Sequence, residues 1–428
     1  MPGSFLQRYI SAHFGIDEKL VAFVDTCEEE ISDLLFKHKK IAEANQYKVT
    51  HAFKKNGVSA RHFSPTTGYG YSDEGREKLS RVFADAFDAE DAIASPLFMS
   101  GTHAISTALF GMLRPGDGML CVTGRPYDTF LNVIHGNDGF GSLTEWGIRY
   151  FEQPLMEDGG IDTQSLFKTL KKDSSIKLIY IQRSCGYTPR PALCAAEIGR
   201  IAAAIHGIST KTIVFVDNCY GEFTEIGEPT THGADIIAGS LIKNPGGGLA
   251  PTGGYIAGNA GLIGQISHRH SAPGLGAEIG SYAGSYLPFF QGFFLAPHTV
   301  CQAMMGALLA SAVFEKCGYS VSPRPKDARA DITQTIVFGN EEDLTSFVRG
   351  IQKASAIDGN VVPYAWDMPG YPDKVIMAAG TFVQGASLEL TADAPIRQPY
   401  AAYMQGALTF EHAKLGILYA MKELNIML

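Results

Sequence analysis

From about residue 92 to residue 258, short apolar runs alternate with stretches whose apolar residues recur at helical spacing. The runs 94–99, 119–123, 148–152, 178–182, 212–217, 236–241 and 254–258 predict strands, seven in all. Helices are expected between several of them, over 102–113, 163–170 and 192–206. Such alternation packs helices on both faces of a mostly parallel sheet. Ahead of it, residues 1–60 read as two or three helices of mixed charge (Glu28-Glu-Glu, Lys37-His-Lys-Lys40), a polar arm rather than a domain. A loop rich in Gly, Pro and Ser follows (64–75), then a helix over 76–87. Beyond residue 297 the pattern changes. A helix over 298–316 leads into strands at 332–338, 361–365, 374–379, 387–390 and 401–404 with no long helix among them, and a helix over 410–424 closes the chain. The expected fold is α/β: a large domain with a seven-stranded sheet (61–297) and a smaller α+β domain (298–428).

Composition narrows the class. The 428 residues are 45% hydrophobic and 18% charged, as in ordinary globular chains. A net charge of −9 argues against nucleic acid or an anionic membrane as partner. The seven cysteines are odd in number and form no C-x-x-C pair, which points to a reducing compartment without a zinc-ribbon metal. The N-terminus has no signal-type apolar segment, so a cytoplasmic protein is expected.

The candidate chemistry centres on Ile236-Ile-Ala-Gly-Ser240-Leu-Ile-Lys243-Asn-Pro-Gly-Gly-Gly248. A strand end followed by glycines would set Lys243 in a cleft where backbone comes close to a ligand. Desolvation beside Leu241 and Ile242 would lower its pKa and free the amine to form a Schiff base. Equally, Lys243 could be a strand-end residue that snorkels to water. Ser100-Gly101-Thr102-His103 opens a helix after the first strand, which is either an anion site or an ordinary serine cap. Tyr127 follows the second strand, where ligands gather in open α/β sheets; it could stack on a flat ring or serve packing. Asp217 ends the apolar run 212–217, and a carboxylate there needs a cationic partner such as a protonated pyridine, unless it merely caps the next segment. Ser240 could reach a phosphate. Arg397, on a Pro-framed loop, could clamp a carboxylate or lie at the surface. His268-Arg-His270 lacks further ligands at metal spacing, and the glycines after Lys243 follow the lysine rather than precede it, unlike a nucleotide loop.

In this order, these turns resemble the fold-type-I pyridoxal-phosphate enzymes, and within them the cystathionine/methionine lyase group. The chain is most similar to the branch named for methionine gamma-lyase and aluminium resistance proteins. The stretches that carry the likeness are Gly68-Tyr-Gly-Tyr-Ser-Asp-Glu-Gly-Arg76, Ser100-Gly-Thr-His103, Ile181-Gln-Arg-Ser184, Asp217-Asn-Cys-Tyr-Gly-Glu222, Lys243-Asn-Pro-Gly-Gly-Gly248 and Ala394-Pro-Ile-Arg-Gln-Pro-Tyr400.

The resemblance implies pyridoxal 5′-phosphate as cofactor, with Lys243 as its anchor and proton shuttle. It implies Asp217 at the pyridine nitrogen, Tyr127 on the ring, and Ser100, Gly101, Thr102 and Ser240 at the phosphate. Arg397 would bind the substrate carboxylate. Tyr69 and Tyr71 would reach a neighbouring subunit's phosphate, in a homodimer or homotetramer with shared active sites. Two departures stand out. Ile242 occupies a position where these lyases carry a hydroxyl residue, and Gln182-Arg183-Ser184-Cys185 replaces a Ser-Pro-x-Asn-Pro segment, which makes Arg183 a second candidate for substrate binding. The implied activity is elimination at the β or γ carbon of a sulfur amino acid. Transamination, γ-replacement and a non-catalytic cofactor-binding role are the alternatives. A nucleotide-dependent enzyme is disfavoured because no G-x-G-x-x-G or Walker pattern follows the first strand.

Overall fold

The computed structural model describes residues 4–427 except 137–139, 189 and 369–370. It divides into two compact units, residues 43–297 and residues 1–42 with 298–428. Helices α1 (Phe5–Phe14), α2 (Glu18–Glu30), α3 (Ser32–Lys55) and α4 (Glu74–Ala86) precede the first strand. The N-terminal segment, expected as one polar arm to residue 60, is thus divided at residue 42. The reason lies in α2, whose Leu20, Val21, Val24 and Cys27 fall on one face and join a core with Leu308, Phe314, Ile351 and Ile417. Past residue 42, buried Asn45 on α3 belongs to the unit of residues 43–297 and donates from Nδ2 to the carbonyls of Phe223 (3.1 Å) and Glu225 (2.8 Å) within it.

In that unit the chain runs β1 (Asp91–Ser95), α5 (Gly101–Met112), β2 (Gly118–Cys121), α6 (Asp128–His135), β3 (Arg149–Glu152), α7 (Thr163–Lys172), β4 (Ile176–Gln182), α8 (Ala195–Ile208), β5 (Ile213–Asp217), β6 (Ile236–Ser240), β7 (Gly254–Gly258) and α9 (Ala260–His270). The seven strands form one sheet in the order β1-β7-β6-β5-β4-β2-β3. Neighbours from β6 to β3 are parallel, and β7 runs antiparallel to both β6 and β1. The expected mostly parallel sheet is therefore present. Its first strand ends at Ser95 rather than residue 99, because Pro96 has no N–H for the ladder; Ser95 opposite Gly254 is the last pair. The parallel register sets Gln182 beside Asp217, and Asp217 beside Ala238 of β6. Strand ends that carry candidate residues thus meet at one edge of the sheet.

The other unit holds β8 (Ser320–Ser322), β9 (Thr333–Val337), α11 (Glu341–Ala354), β10 (Val375–Ala378), β11 (Thr391–Pro395), β12 (Ala401–Gln405) and α12 (Phe410–Glu423), reached through α10 (Leu287–Lys316). Its five strands form an antiparallel sheet in the order β10-β11-β12-β9-β8. Helix α11 corrects the expectation of strands without a long helix. Asn340 caps it by accepting from the Asp343 N–H, and Leu344, Phe347, Val348 and Ile351 are fully buried at helical spacing. Each such side chain stabilises the fold by about 1.5–3 kcal/mol on burial. Two expected strands are absent as strands. Residue Trp366 makes only an isolated bridge to Val375, and 387–390 is a turn in which the Glu389 carboxylate accepts from the N–H groups of Phe382 (2.8 Å) and Val383 (2.9 Å). Helix α10 starts eleven residues before the expected 298 (287 against 298) and runs through Pro297, with Phe289, Phe290, Phe293, Ala296 and Val300 all buried. That continuous burial outweighs the roughly 3 kcal/mol an interior proline costs. By length and composition α10 could cross a membrane, yet 78% of its most apolar window is buried in the structure.

Candidate active site

Lys243 lies three residues past the end of β6, at the start of a tight turn over Asn244–Gly246. The glycines after it bring backbone to backbone. A Cβ on Gly246 would lie 1.7 Å from the Leu241 carbonyl oxygen, and one on Gly247 2.1 Å from that of Gly292. The lysine is fixed by this packing. Its Nζ sits 4.2 Å from the centroid of the Tyr220 ring. Burial pulls its pKa down, as expected from Leu241 and Ile242, but the acidic groups facing it (Cys219, Tyr220, Asp217 and Tyr127) outweigh that and hold it well above the usual lysine value. The expected fall in pKa is thus overturned by groups outside the Leu241-Ile242 stretch, Cys219 foremost, then Tyr220 and Asp217.

Asp217 is 3% exposed at the end of β5. The Tyr180 hydroxyl donates to its Oδ2 (3.2 Å) and the Cys219 N–H to its Oδ1 (3.2 Å). Burial raises its pKa, against the opposing pull of Lys243 and these donors. Tyr180 is itself held in an aromatic stack, with ring centroids 4.9 Å from Phe130 and 5.7 Å from Phe215. Tyr127 opens α6, donating its N–H to Gln182 Oε1 (3.2 Å), and its ring lies 5.5 Å from Phe130. Its hydroxyl is hydrogen-bonded to Thr102. Burial, with Asp217 and Cys219 nearby, keeps the phenol neutral.

The first turn of α5 completes the group. Ser100 is its cap, accepting the His103 N–H at 3.1 Å. Gly101 is pressed against the end of β6, where an added Cβ would stand 3.0 Å from Ser240 Cβ. Thr102 and Ser240 thus flank a helix N-terminus, which offers N–H groups and a positive dipole end to an anion. The structure brings Ser100, Gly101, Thr102, Tyr127, Asp217, Ser240 and Lys243 together from the ends of β5 and β6 and the starts of α5 and α6.

The remaining candidates have other surroundings. Arg183 is fully buried and tied to Glu225 Oε2 (2.6 Å), Glu228 Oε2 (3.2 Å) and Asn218 Oδ1 (2.7 Å). Its guanidinium is committed to these carboxylates, which corrects its reading as a substrate-binding residue. Arg397 belongs to the other unit, half-exposed, with Nη1 2.9 Å from Asp373 Oδ2. Tyr69 and Tyr71 project from the 64–75 loop, 69% and 63% exposed, with ring centroids 5.6 Å apart. His268-Arg269-His270 closes α9. Residue-by-residue reading missed Gln182, Cys219, Tyr220 and Glu222 as functional candidates. The last three lie in the Asp217–Glu222 motif, which was the available signal.

Comparison with known proteins places this geometry in context. The family model described as methionine gamma-lyase matches residues 18–425. The chain is 46% identical to the protein YnbB of Bacillus subtilis (strain 168) over 399 residues, 93% of this chain and 94% of that one. Among solved structures it is similar to one from Clostridium acetobutylicum, provisionally named a cystathionine beta-lyase involved in aluminum resistance. The two share 47% identity and a TM-score of 0.96 over 100% of both chains. A carbon-sulfur lyase involved in aluminum resistance from Clostridium novyi NT matches at 46% identity and a TM-score of 0.92, over 97% of this chain and 98% of that one.

Proposed function

Since the chain belongs to the methionine gamma-lyase family, whose cofactor is pyridoxal 5′-phosphate, we propose that it cleaves the carbon–sulfur bond of a sulfur-containing amino acid. The overall reaction takes substrate and water to a thiol, ammonia and a 2-oxo acid. The residues fit the cofactor: an anion cradle at Gly101, Thr102 and Ser240, a buried carboxylate at Asp217, and an amine at Lys243. When bound, pyridoxal phosphate supplies an electron sink for a carbanion next to the amino group. Asp217, held by Tyr180 and the Cys219 N–H, suits a partner for the ring nitrogen. Tyr127 suits the ring face. Lys243 is the base that takes the α-proton, at Nζ, and returns it to the leaving side. The observation that carries the reading is that buried Asp217, at the end of β5, and Lys243, three residues past the end of the adjacent parallel β6, act on each other electrostatically beside the α5 N-terminus.

The exposed Tyr69 and Tyr71 support a contribution to a neighbouring copy's site, and the name of the Clostridium acetobutylicum structure favours cystathionine as substrate, while that of the Clostridium novyi NT structure goes no further than carbon–sulfur cleavage. The test is a substrate screen of the purified, cofactor-loaded protein that reads thiol, ammonia and 2-oxo acid together. All three should appear with at least one sulfur amino acid and vanish in Lys243→Ala. A 2-oxo acid formed without ammonia, and only with an amino acceptor present, would replace elimination by transamination.

A further inference from the structure

Glu222 is fully buried just beneath the site, and the reaction proposed above has no use for it. Two sets of contacts tie it to the two central residues. On one side the Tyr255 hydroxyl donates to Glu222 Oε1 (2.8 Å) and accepts from Asn218 Nδ2 (3.1 Å), and Asn218 follows Asp217. On the other, the Glu222 carbonyl accepts from Asn244 Nδ2 (3.0 Å), and Asn244 follows Lys243. The same Nδ2 donates to the carbonyl of Tyr220, whose ring lies under the lysine ammonium. Glu222 also abuts the strand that carries Ser240, since a Cβ on Gly239 would lie 2.6 Å from its Oε1.

Its second oxygen, Oε2, is buried with no hydrogen-bond partner among the described residues. An ionised carboxylate would leave charge on that oxygen without a hydrogen bond, which burial disfavours. The charged and titratable groups around it are Tyr255 on β7, Glu228, Arg183, Cys219 and Lys243. Arg183 is already engaged by Glu225 and Glu228. We propose that Glu222 is a positioning residue that carries a proton at neutral pH, braces Asp217 against Lys243, and sets how tightly Lys243 holds its own proton.

Burial, with Glu228 adding to it and the residue's own backbone N–H, the Tyr255 hydrogen bond and Lys243 opposing, pushes the Glu222 pKa up to about 8 from a usual 4.5. The folded state then binds this proton more tightly than the unfolded chain. Stability should fall as pH rises from 4.5 to about 8 and level off above that. Once ionised, Glu222 adds a negative charge near Lys243 and keeps the ammonium protonated to higher pH.

This role rests on Lys243 being the cofactor anchor, so two measurements separate the inference from that reading. Thermal unfolding of the cofactor-free protein across pH 5–9 tests the proton alone. In Glu222→Gln the decline toward pH 8 should disappear, and in Tyr255→Phe, which removes a bond to the ionised form, it should move to higher pH. Borohydride trapping of pyridoxal phosphate on Lys243 tests the coupling, and its pH midpoint should move to lower pH in Glu222→Gln. A folded Glu222→Gln that keeps the wild-type pH dependence in both measurements would overturn the proposal. If wild type traps no cofactor, the anchor reading fails, and the stability profiles still decide whether Glu222 holds a proton.

Discussion

The ammonium of Lys243 rests 4.2 Å from the centroid of the Tyr220 ring, and Tyr220 holds a left-handed backbone, φ +72°. A non-glycine residue in that region costs stability unless the side chain or its surroundings repay it. Here Asn244 holds the Tyr220 carbonyl and the ring takes the lysine. Tyr220→Phe keeps the ring face and should leave Lys243 reactivity within a few-fold of wild type. Tyr220→Ala loses a cation–π contact worth about 0.5–2 kcal/mol and should make Lys243 easier to deprotonate. The pH midpoint for trapping pyridoxal phosphate on Lys243 is the readout; no difference between Phe and Ala would remove the ring from the account.

Arg183 answers a different question, namely whether a buried arginine near the site serves substrate or scaffold. It joins Asn218, Glu225 and Glu228, and its N–H donates to the Asp217 carbonyl at 3.0 Å. Truncation to Leu would leave Glu228, 1% exposed, without its cation. Breaking such a buried pair typically destabilises by about 3–5 kcal/mol. Urea unfolding of Arg183→Leu should show a loss of that order. The KM of whatever enzyme remains folded should stay near wild type, whereas a substrate-binding arginine would raise KM with little change in stability.

These two residues also mark how far sequence reaches. The parallel sheet, the Lys243 turn, Asp217 and the α5 cap were legible because each is a local pattern: an apolar run, a strand-end acid, a Ser-Gly-Thr turn. The charge on Lys243 was not, because Leu241 and Ile242 are its neighbours in sequence while Cys219, Tyr220 and Asp217 reach it from the end of β5 and the turn after it, and Tyr127 from the start of α6. The partners of Arg183 are hidden for the same reason, since Glu225 and Glu228 come from a loop beyond β5. Helix α11 is a different case. Its signal, Asn340 followed by Leu344, Phe347, Val348 and Ile351, is local and was passed over among flanking strand patterns.

Tyr69 and Tyr71 sit mostly in solvent, so their replacement should leave the fold intact; substitutions at such exposed positions usually stay within about 0.5 kcal/mol. If they serve a neighbouring copy, a Tyr69→Ala/Tyr71→Ala chain should bind pyridoxal phosphate more weakly than wild type at unchanged melting temperature. Mixing it with Lys243→Ala chains under conditions that exchange subunits should then restore part of the activity, since one site of each mixed pair has every wild-type residue. Failure of the mixture to gain activity despite proven exchange would confine each site to one chain.

On the acid side, each unit holds a histidine whose protonation opposes folding. Burial, aided by Arg329 and Lys37, holds His38 down at about 4, and burial with His103 and Arg76 does the same for His270. Both start from a usual 6.5, so the unfolded chain takes up these protons first. Their contribution to stability is whole above pH 6.5 and is lost as pH falls from there toward 4. His38 lies in the unit of residues 1–42 and 298–428, His270 in that of residues 43–297. His38→Gln and His270→Gln should each flatten the decline in melting temperature between pH 7 and 4.5, as followed by calorimetry. If the units unfold separately, each variant should spare only its own transition; if one variant flattens both, the two unfold as a single cooperative body.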